Sequence, residues 1–99
     1  MQFVVVAYDD VDDQALERRM EARPAHLEAA KANFDQGRWL YAVAILNDEG
    51  TMIGSMIVCD YPSRSDLDEQ WLKNEPYVTG KVWKKIDVKR AQVPPHLQQ

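Results

Sequence analysis

Cysteine is almost missing from this chain: Cys59 stands alone among 99 residues. No disulfide can form within the chain, and its apolar surroundings favour a small core residue. Histidine is nearly as scarce. His26 and His96 lie far apart, and no Cys or His pair has a metal-ligand spacing, so no metal is expected. No Gly-x-Ser-x-Gly run occurs, which argues against a Ser–His–Asp hydrolase. The longest apolar run, Trp39 to Leu46, is too short to span a bilayer. Met1-Gln2 leads straight into a strand pattern with no basic stretch before a long apolar one. No secretion signal is therefore expected, and a cytoplasmic location is the default. Basic residues are the minority, 12 against 16 acidic, for a net charge of −4. The one basic cluster, Lys81, Lys84, Lys85, Lys89 and Arg90, alternates with Val82, Trp83, Ile86 and Val88. That is the solvated side of a strand, so neither nucleic acid nor membrane is an expected partner.

What is present suits one small domain: 45% of residues are hydrophobic, too many for a disordered chain. The domain is expected over residues 1–90, with 91–99 as a tail containing Pro94-Pro95. Phe3 to Tyr8 is β-branched and aromatic and predicts a buried central strand. The aspartates Asp9, Asp10, Asp12 and Asp13 form a turn that can start a helix at Gln14. Leu16 and Met20 mark one short helical face; Leu27, Ala30, Lys31 and Phe34 mark another, which Gly37 ends. Strands follow over Leu40–Leu46 and Thr51–Tyr61, with Gly54 marking a bulge or a close backbone approach. Ser63 is a fair N-cap for a helix carrying Leu67, Trp71 and Leu72, which Pro76 should stop. Thr79-Gly80 turns the chain into a last strand, Val82–Lys89. The order is β-α-β-β-α-β, the ferredoxin-like split βαβ pattern, an α+β fold with both helices on one face of a four-stranded antiparallel sheet. Trp39, Tyr41 and Trp83 are candidates to cover the other face, and a second copy packed sheet to sheet would complete it.

The chemistry-bearing stretch is Arg23-Pro24-Ala25-His26-Leu27. Proline suits a helix N-terminus, so Pro24 is expected to open the second helical piece and to place His26 in its first turn. Such an end attracts anions and favours a neutral imidazole, which can act as a base or can only bond a backbone group and hold the loop. Asp9 closes the first strand at the same sheet edge and could orient that imidazole. Asp35, nine residues on, should lie on the opposite helix face as a solvated charge. Arg23 could hold a substrate carboxylate or pair with an aspartate of the preceding turn. Ser55 could offer its hydroxyl to a pocket or face solvent. Glu75 and Tyr77 could line the site or only stop a helix.

These residues also carry a resemblance. Asp9, the Arg23–Leu27 run, Gly37, Gly54-Ser55, Glu75-Pro76-Tyr77 and Gly80 together make the chain resemble the YciI family, the YCII-related domain, from Phe3 to about Lys89. The resemblance implies a dimeric, ferredoxin-like α+β-barrel assembly. It implies a His–Asp active-site pair, carried onto His26 and Asp9; Arg23, Ser55, Glu75 and Tyr77 stand beside it as substrate-binding candidates from their own chemistry. The family is similar to small cofactor-independent enzymes, among them a chlorohydroxyhydroquinone dehydrochlorinase and muconolactone isomerases. Elimination or isomerisation of a small organic molecule by proton transfer at carbon is the implied chemistry, without a cofactor, and Arg23 could hold the substrate where that is an anion. Two positions depart from the usual pattern: Glu75 stands where the family has Asp, and Val43-Ala44 where it has Gly-Pro. The second change is the feature that favours the alternative, a non-catalytic module binding a small molecule or a protein.

Overall fold

The computed structural model describes residues 1–97. Strands β1 (Gln2–Asp9), β2 (Trp39–Leu46), β3 (Met52–Asp60) and β4 (Trp83–Ala91) form one antiparallel sheet in the order β2-β3-β1-β4. Helix α1 (Ala15–Asp35) joins β1 to β2. Between β3 and β4 run α2 (Arg64–Gln70), a 3-10 turn (Leu72–Asn74) and the short α3 (Pro76–Thr79). This is the expected ferredoxin-like arrangement, with β1 in the middle of the sheet and the helices on one face.

Alternation decides which residues face the helices. Phe3, Val5 and Ala7 of β1 are buried, and so are their partners Cys59, Ile57 and Ser55 on β3. Directly opposed residues of antiparallel strands share a face, so these line the helix side. The opposite face carries Val4, Val6, Tyr8, Met56, Val58, Tyr41 and Val43. Of the aromatics expected there, only Tyr41 is found. Trp39 pairs with Cys59 and meets Trp71 edge-on at 5.0 Å, while Trp83 lies opposite Asp9 and 5.6 Å from Tyr77. Both tryptophans are buried beneath the helices, because their parity in the strands is that of the inner face.

Two prolines play roles opposite to those expected. Pro24 does not open a helix; it lies inside α1, a single helix of 21 residues. Pro76 does not stop a helix; it is the first residue of α3, with Glu75 as the cap. An interior proline removes one backbone hydrogen bond and crowds the preceding turn. Pro24 sits on the exposed flank, and the helix is anchored on both sides of it by buried Ala15, Arg19 and His26. His26 is therefore mid-helix, beyond reach of the N-terminal partial charge.

The buried face of α1 is not its apolar one. Leu16, Met20, Leu27 and Phe34 are exposed. Ala15, Arg19, Ala22, His26, Ala30 and Asn33 turn inward instead, at spacings of three and four. Helix α1 ends as expected: Gly37 adopts φ +75° just after the capping Gln36. Gly54 marks a close approach, since a Cβ there would stand 2.5 Å from the Ala7 carbonyl oxygen. The left-handed residue of the turn into β4 is Lys81 (φ 58°), not Gly80. Among the described residues no helix is long and apolar enough to cross a membrane.

Candidate functional site

The inward face of α1 brings three polar side chains, Arg19, Arg23 and His26, over the inner side of the sheet. Arg19 meets the end of β1, where the pairing with β4 slips by a residue between Tyr8 and Asp9. Its Nη1 donates to both Asp9 carboxylate oxygens, at 2.8 and 3.0 Å, and its Nη2 donates to Ser55 Oγ at 2.8 Å. Trp83 Nε1 donates to the same hydroxyl at 3.3 Å. Burial lifts the Asp9 carboxyl above its ordinary value, against the opposing pull of the Arg19 charge and hydrogen bond.

Tyr77 links this cluster to the histidine. The Arg19 guanidinium lies 4.6 Å from the Tyr77 ring centre, and the His26 imidazole stacks on that ring at 3.9 Å with 14° between planes. Burial raises the Tyr77 phenol above its ordinary value, while the charges of Arg19 and Arg23 oppose the rise.

The carboxylate that orients His26 is Glu75. Its Oε2 lies 2.9 Å from His26 Nδ1 and accepts the Tyr77 backbone N–H at 2.8 Å; its Oε1 accepts the Trp71 indole N–H at 3.1 Å. An amide and an indole can only donate, so Glu75 acts as acceptor on both oxygens. The short contact to His26 is then a bond from Nδ1–H, and in the neutral imidazole the lone pair stands on Nε2. The expected His26–Asp9 contact is not made, for a geometric reason. His26 lies seven residues beyond Arg19, about 10 Å along the helix, whereas Asp9 is held at the level of Arg19.

A cleft of about 130 Å³ opens beside these groups, lined by Arg19, Arg23, His26, Trp39, Ser55 and Tyr77, with Leu27, Ala30, Ala42, Val43, Ala44, Met52 and Ile57 around them. Val43 and Ala44, the positions that depart from the family pattern, are part of its wall. Arg23 is half-buried and makes no hydrogen bond or ion pair among the described residues. Two of the aspartates before the helix are taken by its neighbours: Asp12 by Arg18 at 3.0 and 2.7 Å, and Asp9 by Arg19. Asp35 pairs with Lys31 at 2.9 Å on the exposed side.

The structure thus gathers His26, Arg23, Ser55 and Tyr77 around one cleft, with Glu75 behind His26 and Asp9 behind Arg19. Arg19 and Trp83 were not anticipated in the site. The signal for Arg19 was present in the sequence, because Arg19, Arg23 and His26 stand at i, i+4 and i+7. It becomes visible only when the helix is read through Pro24.

Comparison with known proteins bears on family and fold. The family profile of the YCII-related domain matches residues 1–92. Protein YciI of Escherichia coli O6:H1 is 33% identical over 95 residues, covering 90% of this chain and 94% of the relative, and Protein YciI of Shigella flexneri matches equally. Among solved structures, the 5-chloro-2-hydroxyhydroquinone dehydrochlorinase of Burkholderia phenoliruptrix AC1100, in complex with 2,5-dihydroxybenzoquinone, is similar with a TM-score of 0.80. It is 19% identical, with 97% of this chain and 98% of that chain covered. An antibiotic biosynthesis monooxygenase is similar with a TM-score of 0.55 at 14% identity, over 95% of this chain and 100% of that one. These two likenesses bear on the fold, and the profile together with the curated relatives bears on descent: the chain belongs to the YCII-related domain family.

Proposed function

We propose that the protein is a small-molecule enzyme in which His26 moves a proton on a compact anionic substrate, with no cofactor. The observation that carries this reading is the state of one side chain. Glu75 fixes the Nδ1 proton of His26, and Nε2, which makes no hydrogen bond among the described residues, is left as a base in a residue that lines the cleft. Arg23, unpaired on the same cleft, is the group to hold a substrate anion. The size of the cleft limits the ligand. A cavity of about 150 Å³ accommodates a benzene ring, so about 130 Å³ suits a single six-membered ring or a short-chain acid. The dehydrochlorinase neighbour was solved with a ligand of that size.

In the proposed reaction Nε2 takes a proton from a carbon next to a carbonyl, and the C–H electron pair becomes an enolate. In an elimination the enolate expels a leaving group such as chloride from the adjoining carbon. In an isomerisation Nε2–H returns the proton to another carbon. Asp9 acts at one remove, by holding Arg19. A second copy of the chain is proposed to cover the outer sheet face, where Tyr8, Tyr41 and Val43 are exposed.

The test is carbon–hydrogen exchange in D₂O, followed by NMR, with lactones and hydroxylated quinones, together with chloride release from chlorinated hydroxyquinols. Turnover by the wild type is expected to fall about 10²- to 10⁴-fold in His26→Gln with the fold intact by circular dichroism. Absence of any His26-dependent exchange or release would defeat the proposal. If His26→Gln then still bound the same compounds, the non-catalytic module would be the better account.

A further inference from the structure

We propose that Ser55 is a specificity-determining donor: its hydroxyl hydrogen is held for an unprotonated oxygen of the ligand, a carbonyl or an oxyanion. The inference comes from counting hydrogens. Ser55 Oγ has two lone pairs and one hydrogen. Arg19 Nη2, at 2.8 Å, and Trp83 Nε1, at 3.3 Å, both approach it, and a guanidinium and an indole can only donate. Both lone pairs are thereby used, and the hydrogen has to leave in a third direction.

No acceptor for that hydrogen is found among the described residues, although the residue is only 3% exposed. Buried polar hydrogens are ordinarily matched, so an unmatched one on a residue that lines the cleft needs a partner from outside the chain. The strand register supports the same placement. Ser55 lies opposite Ala7 and Ala44, whose small side chains leave its hydroxyl uncrowded on the inner face.

The arrangement is polarised as well as oriented. A positive group donates into Ser55 Oγ, which strengthens the O–H as a donor. Arg19 is itself fixed by two bonds to Asp9, so the hydroxyl is preorganised before any ligand arrives. A ligand group that is itself a donor, such as an amine, would meet the O–H hydrogen head-on and be rejected. This assignment rests on reading the cleft as the substrate site. It adds the chemistry of one contact: an acceptor oxygen at Ser55, with the anion at Arg23.

Isothermal titration with two probes separates the possibilities. The first, 2,5-dihydroxybenzoquinone, ionises readily and then carries acceptor oxygens on both sides of its ring. The second, benzoate, offers a carboxylate for Arg23 and nothing across the ring. Ser55→Ala is expected to weaken binding of the quinone about 10-fold or more while leaving benzoate within about 2-fold. Arg23→Gln is expected to weaken both. Ser55→Cys keeps the packing but is a poor donor, and it should behave like Ser55→Ala if the latter fails to fold. Equal quinone binding by the wild type and both Ser55 variants would overturn the assignment while leaving the cleft as the site. No uptake of either probe by the wild type would overturn the site reading, and the Ser55 assignment with it.

Discussion

Removing Glu75 probes whether one carboxylate holds the back of the site together. The side chain is fully buried and accepts three hydrogen bonds, from His26 Nδ1, the Trp71 indole and the Tyr77 amide. Glu75→Ala strands all three donors. A buried donor left without a partner costs about 1–3 kcal/mol, and water admitted to the vacated space recovers part of it, so about 3–5 kcal/mol is expected in all. The loss of the α3 cap is not added separately, because the Tyr77 amide bond is that cap. For a domain whose whole stability is about 5–15 kcal/mol, the variant should stand near the threshold of folding. Glu75→Gln is the discriminating control. With its carbonyl oxygen at the Oε2 position it keeps the bonds from His26 and Tyr77. Its amide then faces the Trp71 indole, donor against donor, for a loss of about 1–2 kcal/mol. Urea unfolding followed by fluorescence of the buried Trp39, Trp71 and Trp83 reads both values. At a slope of about 1–1.5 kcal/mol per molar for this size, Glu75→Ala should lower the midpoint by about 3 M and Glu75→Gln by about 1 M. Equal losses in the two variants would refute the count of acceptors. A loss below about 1 kcal/mol in Glu75→Ala would refute the anchoring role.

Replacing Arg19 by Met leaves the Asp9 carboxylate buried without its cation, and a loss of about 3–5 kcal/mol is expected by chemical denaturation, with Asp9→Asn less severe. Asp12 gives a dependence on acid. Its carboxyl is held down at about 2 by the hydrogen bond from Arg18 and the backbone N–H of Gln14, against an ordinary 3.8. A lowered value means that the contribution is fully present above pH 3.8 and is lost as pH falls through 2, so Asp12→Asn should flatten the acid limb of a midpoint-against-pH curve in that window. Cys59 is fully buried, and burial pushes its thiol up to about 12. Labelling by a disulfide reagent at pH 8 should therefore proceed only at the rate of unfolding, and rapid stoichiometric labelling of the native protein would contradict the placement.

The sheet was legible in the sequence because its residues obey one rule throughout. Alternating apolar side chains in β1 and β3 face the helices, and turn residues separate the strands. The long helix was not, because two sound local rules misled together. Proline is usually kept out of helix interiors, and Leu16, Met20, Leu27 and Phe34 have the spacing of a buried stripe. The chain buries the other face, which carries Arg19 and His26. Folding alone does not favour that choice: an arginine, an aspartate, a histidine and a glutamate are all taken out of water, and apolar side chains are left in it. A helix that violates its own hydrophobic pattern in this way marks the place where another demand overrode packing. The inward spacing of Arg19, Arg23 and His26 fits the proposed site as that demand. It places a paired cation, a free cation and an oriented imidazole in a row over a single small cleft, and the leucines and methionine that could have filled that face stand outside.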